Sequence, residues 1–415
     1  SHGACFLSGG KSVLAVESAR QAGIRAHPGQ ADRVHTRGTY VTRISRRKFV
    51  AGAATGGVGL AAAACDQGAP AAPAVISERP EVRWRMTSSF PPSLDTIFGA
   101  AKVFSKAVAD MTDNRFQVQV FAAGEIVGGL QAADAVTDGT VESAHTASYY
   151  YWGKDPTFAL ATGVPFGLNS RMQNAWMWEG GGIELMNAFY QRYNIYGLPG
   201  GNSGAQMGGW YRREINTPED WKGLKIRIGG FGGAILAKLG AVPTQIAAAD
   251  IYPALEKGTI DAAEWVGPYD DEKLGFARVA KYYYYPGWWE GQAMLHFFFN
   301  LEKWNALPPS YQAVVRAASQ TANTIMMARY DMQNPPALRS LVQNGALLRP
   351  FSKDVLDACF AASNSVYAEL SAKNADFKNA YDAMTKVRRD GYLWHQLSEH
   401  TMDTYMMILQ REGKL

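Results

Sequence analysis

The sequence predicts an α/β protein of two lobes, each a mixed or parallel sheet flanked by helices, with a hinge between them and a set of C-terminal helices. Three observations carry this prediction. Strand-like and helix-like segments alternate from residue 82 onward. Val82–Ser88 (VRWRMTS) has period two, residues 95–111 place apolar side chains at helical spacing, and Phe116–Phe121 (FQVQVF) returns to period two. Alternation of this kind goes with sheets covered by crossover helices. One local pattern also occurs twice. Residues 135–144 read AVTDGTVESA and residues 254–263 read ALEKGTIDAA. Both read as a helix end, a Gly-Thr turn, a β-branched residue, an acid and small strand residues, with Gly suited to the left-handed position after a helix. Lastly, the stretch from about residue 308 to 410 is helical in pattern and rich in Met and aromatic residues, including Tyr392, Trp394, Met402, Tyr405, Met406 and Met407. Such a stripe is either core or a subunit interface.

The order of segments follows. Residues 1–42 show no clear period and read as a disordered or misassigned leader. Residues 43–65 read as an export signal. Arg46-Arg47 precede Phe49-Val50 and an Ala/Gly-rich stretch to Ala64, shorter than the ~20 apolar residues a membrane span requires. The twin arginine resembles a Tat signal. Cys65 follows four alanines, as in a lipobox whose cysteine is acylated, although Ala62 stands where Leu or Val is usual. Cleavage near Ala64, releasing the chain into the periplasm, is the alternative. Residues 66–80 are a Pro/Ala linker, 81–205 a first lobe, 206–290 a second lobe, 291–345 a return segment joining them, and 346–415 the C-terminal helices.

The formal charge of +4 comes from the leader and signal. Nine of the 41 Lys/Arg and two of the 37 Asp/Glu fall in residues 1–65, which leaves 32 basic and 35 acidic residues, a net charge near −3. No basic footprint for nucleic acid remains. Of Cys5, Cys65 and Cys359, only the last lies in the folded part, so neither a disulfide framework nor a cysteine metal site forms within it. Cys359, in DVLDACFAA, reads as a buried helical residue.

Ligands of open α/β sheets sit outside the carboxyl ends of strands. The repeated turn therefore nominates Glu264 and Trp265 after the second copy and residues 146–152 after the first. Arg227 ends a predicted strand at residues 224–228 and precedes Gly229-Gly230-Phe231-Gly232-Gly233. A guanidinium grips a carboxylate through paired donors, and glycines let backbone N–H groups approach an anion at the next helix N-terminus. A surface ion pair is the plainer reading of Arg227. The third glycine of a dinucleotide fingerprint is missing. Glu264, Asp270 and the amide oxygen of Gln206 could hold a hard cation such as Na⁺ or Ca²⁺, whereas Asp271 and Glu272 read as solvated loop acids. His145, His296, His395 and His400 show no metal-site spacing, and no GxSxG elbow is present.

Gln206-Met-Gly-Gly-Trp210, Asp220-Trp-Lys-Gly-Leu-Lys-Ile-Arg227 and Ala263-Glu-Trp-Val-Gly-Pro-Tyr269 together resemble the DctP-type extracytoplasmic solute receptors of TRAP transporters, over about residues 80–410. The Glu-Trp-Val-Gly-Pro-Tyr segment resembles the branch that binds 2-oxo and 2-hydroxy monocarboxylates. The resemblance implies the two-lobed periplasmic solute-binding fold and no enzymatic activity. Arg227 would clamp the ligand carboxylate. Gln206, Glu264 and the Trp265 carbonyl would hold Na⁺ or Ca²⁺ against it, with Tyr151 and Gln292 as second ligand contacts. The partners implied are a small organic carboxylate, the TRAP membrane subunits and a second copy of the chain, since C-terminal helices in this branch can swap between subunits. The rival readings are an exported hydrolase using Glu264 and Asp270, and a sugar or amino-acid receptor of another transporter class.

Overall fold

The structure is a computed structural model that describes residues 80–415. The leader, the signal with Cys65 and all but the last linker residue lie outside the described residues. In chain order the strands are β1 (Val82–Ser88), β2 (Phe116–Phe121), β3 (Ser143–Thr146), β4 (Ile195–Asn202), β5 (Trp210–Tyr211), β6 (Lys225–Arg227), β7 (Val242–Thr244), β8 (Ala262–Ala263), β9 (Tyr282–Tyr285), β10 (Met294–Asn300) and β11 (Leu347–Pro350).

They form two mixed sheets flanked by helices, ordered β2-β1-β3-β10-β4 and β11-β9-β5-β8-β6-β7. In the first, β2, β1 and β3 are parallel and β10 runs antiparallel between β3 and β4. In the second, β7, β6 and β8 are parallel and β5 runs antiparallel between β8 and β9. Each sheet thus holds a β-α-β-α-β unit, joined by β10 and β4 in the first sheet and by β5, β9 and β11 in the second. The chain crosses from β4 to β5 and returns from β9 to β10.

The repeated sequence pattern folds the same way twice. Gly139 and Gly258 both have φ +73°, the left-handed region that glycine enters without strain. The turn closes through Val141 N–H to the Ala135 carbonyl at 3.1 Å and Ile260 N–H to the Ala254 carbonyl at 3.3 Å. The acid of each copy then caps a backbone donor on the neighbouring strand. Glu142 accepts from Arg85 N–H at 2.8 Å, and Asp261 accepts from Lys225 N–H at 3.0 Å. Conserving an acid at this position in both copies therefore has a structural cause.

Helix Ile97–Met111 buries Ile97, Ala101, Phe104 and Val108, the stripe its sequence spacing anticipates. Cys359 is fully buried on helix Lys353–Lys373. The C-terminal part is helical over Pro309–Gln343, Lys353–Lys373, Ala375–Leu397 and Glu399–Arg411. It also contains β11, which the helical pattern concealed. Four residues pair in parallel with the Tyr282–Tyr285 strand and close the edge of the second sheet. Among the described residues, no helix is long and apolar enough to cross a membrane.

The two crossings are bonded to each other. Gln206 N–H donates to the Glu290 carbonyl at 3.3 Å, Gly287 N–H to the Gln206 carbonyl at 3.1 Å, and Ser203 N–H to the Ala293 carbonyl at 3.0 Å. A Cβ on Gly287 would lie 2.7 Å from the Gln206 carbonyl oxygen, so the close approach of the two crossings requires glycine there.

Candidate functional site

The site grows out of the β6–β8 register. Arg227 pairs with Ala263 in parallel strands, so Glu264 leaves β8 just beyond the end of β6. Its N–H donates to the Arg227 carbonyl at 3.1 Å. The side chains meet on the same side. Arg227 Nη1 donates to the Glu264 carbonyl at 2.8 Å and to Glu264 Oε1, and Arg227 Nε donates to the Ile246 carbonyl at 3.1 Å. The Trp265 ring lies 4.9 Å from the guanidinium carbon. Arg227 and Glu264 are 0% and 1% exposed as side chains, which replaces the surface ion pair reading with a desolvated pair.

This pair is incompletely satisfied. Arg227 Nη2, Glu264 Oε2 and Gln206 Oε1 are buried without a hydrogen-bond partner, and so is Glu290 Oε2. Buried polar atoms normally find partners, so several orphans gathered around one pair of charges mark a place prepared for a polar guest. Burial alone disfavours the Arg227 charge, but Glu264, Tyr149, Tyr150 and Glu290 hold its pKa above the ordinary value. Burial pushes Glu264 upward against the pull of Arg227 and the Gly229 amide. Glu290 is pushed well above the usual carboxylate range by burial and then by Glu264.

The first lobe supplies the opposite wall. The turn Ser148–Tyr151 at the carboxyl end of β3 carries Tyr149 and Tyr150 toward the pair. The Tyr150 hydroxyl is pushed up to about 12, chiefly by burial, with Glu264 and Glu290 adding to it and Arg227 opposing. Gln245 Nε2 donates to the Tyr150 carbonyl at 2.9 Å, tying the lobes together beside the site. Tyr149, Tyr150, Ser203, Gln206 and Trp265 line a small inter-lobe cavity, together with an apolar floor. Arg227 and Glu264 do not line the cavity themselves. They abut it through Trp265.

The structure brings Arg227, Glu264 and Trp265 together, and Gln206 lines the cavity beside Trp265. It does not bring Tyr151 or Gln292 there. The Tyr151 hydroxyl bonds to Ala133 N–H at 2.9 Å and Thr146 Oγ1 at 3.0 Å, inside the first lobe. In a single tight turn, successive side chains point about a third of a circle apart, so Tyr149 and Tyr150 face the gap and Tyr151 faces the core. Gln292 accepts from Asn202 Nδ2 at 2.8 Å and donates to the Thr162 carbonyl at 2.8 Å, so its amide braces the returning crossing. Glu290 was legible only as an acid after an aromatic pair, Trp288-Trp289, with nothing to aim it.

Asp270 and Asp271 are buried, a correction for Asp271, which reads as a solvated loop acid; Glu272 is exposed. Asp270 accepts from Tyr330 Oη at 2.8 Å and from Trp265 Nε1 at 3.4 Å, so it supports the site's tryptophan and does not join Glu264. Asp271 accepts from Tyr283 Oη at 2.7 Å and Trp210 Nε1 at 3.1 Å. Burial pushes its pKa up to about 7. The folded state then keeps a proton that the unfolded chain has lost, so this contribution is present below about pH 4 and lost as pH rises to about 7. Thermal melts across that range should show a fall for the native chain that Asp271→Asn makes shallower, by up to about 4 kcal/mol, while Asp270, pushed up to about 6, leaves a residual fall. Parallel curves for the two proteins would contradict the assignment.

Among the described residues, no cluster of three or more His, Cys, Asp or Glu could hold a metal. The unpartnered oxygens are instead those of the Glu264 and Glu290 carboxyls and the Gln206 amide, with the Trp265 carbonyl adjacent in sequence, a set that suits Na⁺ or Ca²⁺ and not zinc.

The profile of bacterial extracellular solute-binding protein family 7 (DctP) matches residues 87–374. A monocarboxylate 2-oxoacid-binding periplasmic protein of Nostoc sp. is 46% identical over 326 residues, covering 79% of this chain and 89% of that protein. A crystal structure of a TRAP transporter solute-binding protein from Bordetella bronchiseptica is 49% identical, with TM-score 0.80, covering 81% of this chain and 100% of that one. It is a mixed-occupancy dimer with copurified calcium and picolinate in one site and the other site apo. A TRAP periplasmic solute-binding protein from Pseudoalteromonas atlantica, with bound sodium and pyruvate, is 38% identical, with TM-score 0.76, covering 78% of this chain and 98% of that one.

Proposed function

The chain belongs to the DctP family of bacterial extracellular solute-binding proteins, and we propose that it captures a small 2-oxo or 2-hydroxy monocarboxylate between its lobes and presents it to the membrane subunits of a TRAP transporter. The observation that carries this reading is the trio of buried, unpartnered atoms, Arg227 Nη2, Glu264 Oε2 and Gln206 Oε1. Arg227 is held in place by Ile246 and Glu264, which leaves Nη2 as the free prong of its fork for a carboxylate oxygen. Because the guanidinium is locked before the ligand arrives, little side-chain entropy is lost on binding.

Charge explains the cation. Arg227 and Glu264 cancel, so a monoanion entering this dry gap brings an uncompensated negative charge. Glu264 Oε2, Gln206 Oε1 and the Trp265 carbonyl would hold Na⁺ or Ca²⁺, which when bound supplies the positive charge that draws the carboxylate and 2-oxo oxygens. The related receptors that carry calcium or sodium with such ligands support this assignment. Tyr149 and Tyr150 close over the pair from the first lobe and exclude water. Closure about the two bonded crossings then reports occupancy to the membrane partner.

The family and the Nostoc relative place such proteins in the periplasm. Export through the twin-arginine segment at residues 43–65, with cleavage near Ala64 or acylation at Cys65, completes the reading. Leu393, Trp394, Leu397, Tyr405 and Ile408 form an exposed apolar face on the last two helices, which suits pairing with a second copy. A hydrolase role for Glu264 with Asp270 finds no support, because the Asp270 carboxylate is turned to Tyr330 and Trp265.

Calorimetry with pyruvate, lactate, a sugar and an amino acid, each with and without Na⁺ or Ca²⁺, tests the proposal. Saturable binding of the 2-oxo or 2-hydroxy acid that strengthens with a cation, without turnover, is expected. Binding of the sugar or amino acid alone would defeat it.

A further inference from the structure

A left-handed phenylalanine stands behind the site. Val164-Pro165-Phe166-Gly167 is a turn closed by Gly167 N–H to the Val164 carbonyl at 2.8 Å. Pro165 takes its second position and Phe166 its third, with φ +54°. Gly or Asn usually fills a third position of this hand, because a Cβ is strained there and a bulky side chain more so. Glycine would form the turn more readily, so the turn itself gives no reason for a phenyl ring.

The ring has a partner on each side. It stacks on Trp288 with centroids 5.4 Å apart and planes at 17°, and Phe360 meets it edge-on at 5.2 Å. Phe166 N–H also donates to the Trp288 carbonyl at 3.0 Å. Trp288 lies inside a second turn, closed by Glu290 N–H to the Gly287 carbonyl at 3.1 Å. Holding Trp288 by its ring and its carbonyl therefore fixes where Glu290 leaves the backbone. Glu290 lines a small cavity with Tyr149, Gly229 and Gly230, just past Arg227, and its Oε2 is buried without a partner. A Cβ on Gly163, from the same loop as Phe166, would lie 3.4 Å from Glu290 Cγ, so the loop also walls the stem of that side chain.

The C-terminal helices hold the loop. Three successive carbonyls accept from them. Tyr367 Oη, on helix Lys353–Lys373, donates to Pro165 at 3.0 Å. From helix Ala375–Leu397, Arg388 Nη1 donates to Phe166 at 3.2 Å and Tyr392 Oη to Gly167 at 3.1 Å. Phe360 belongs to the first of these helices. A strained residue persists where its surroundings over-determine it, and four side chains of the C-terminal helices do so here.

We propose that Phe166 is a positioning residue for the ligand site, pinned in its left-handed turn by the C-terminal helices and setting the Trp288–Glu290 wall against Arg227. Phe166 itself lines neither cavity. The proposal rests on the receptor reading and adds the route by which the C-terminal helices take part in binding.

The test is calorimetry with pyruvate in saturating calcium, read as affinity and as the number of sites per chain. Phe166→Gly relieves the backbone and removes the ring. It should bind pyruvate about tenfold more weakly at an unchanged number of sites. Phe166→Tyr keeps the ring and should stay within about twofold of the native affinity. Tyr392→Phe combined with Arg388→Met withdraws two of the three donors and leaves the ring in place. It should weaken binding about threefold, and it decides alone if Phe166→Gly does not fold. A role in packing only would lower the melting temperature or the number of sites and leave the affinity of the folded protein unchanged. That result would overturn the positioning role and leave the receptor reading intact. A native chain that binds no 2-oxo acid would overturn both.

Discussion

Arg227→Ala should reduce carboxylate binding below detection in a chain that still folds. The guanidinium is the one fixed cation at the site, and a charge-assisted contact of this kind is worth about 1.5–3 kcal/mol, more when two are made. Arg227 offers one such contact through its free Nη2, so the loss expected is about 10- to 150-fold from that contact alone. The same substitution leaves Glu264 buried without its partner, which destabilises by about 3–5 kcal/mol unless the carboxyl takes up a proton. Arg227→Lys separates the two effects. It keeps a charge beside Glu264 but not the planar fork, so it should retain most of the stability and still lose at least tenfold in affinity. A titration in which either variant binds pyruvate like the native chain would remove the clamp.

Glu264→Ala should abolish the dependence of ligand affinity on Na⁺ or Ca²⁺. Binding of cation and anion are coupled because each neutralises the other in a gap from which water is excluded, and couplings of this kind run from about 5- to 150-fold. In the native chain, pyruvate should bind at least tenfold more tightly with the cation, and the cation more tightly with pyruvate, by the same factor. The variant should bind at the cation-free level whether or not the ion is present. Retained enhancement would place the ion elsewhere, and absence of enhancement in the native chain would remove the ion altogether. The Asp271 melts described above are independent of both outcomes, since Asp271 bonds to Tyr283 and Trp210 and not to the ligand-site residues.

Much of this architecture could be read from the sequence because it is local. The period of Val82–Ser88 and Phe116–Phe121 gives those strands their full extent. The two Gly-Thr turns set the strand ends, and with them the neighbourhood of Glu264 and of the tyrosines after β3. What local pattern cannot give is the phase of a short turn or the direction a side chain takes once packed. Three consecutive tyrosines at residues 149–151 look alike in sequence, and only the tight turn decides that the first two face Arg227 and the third faces Thr146. Gln292 carries the right group for a ligand contact, but Asn202 and Thr162 engage it, and both pairings are long-range. Asp271 was hidden for a related reason. Its neighbours Glu272 and Lys273 are exposed, yet its partners come from strands 61 residues before it and 12 residues after it. The β11 strand is a further case, since four residues between long helices become a sheet edge only when Tyr282–Tyr285 is already in place.

One guanidinium nitrogen, Arg227 Nη2, and two oxygens, Glu264 Oε2 and Gln206 Oε1, are buried without partners. A crystal structure of the protein grown with pyruvate and calcium, with anomalous data to locate the ion, addresses them directly. The ligand carboxylate should lie on Arg227 Nη2, and the ion should touch Glu264 Oε2 and Gln206 Oε1. Pyruvate bound away from Arg227, or an ion at a site that omits Glu264, would contradict it.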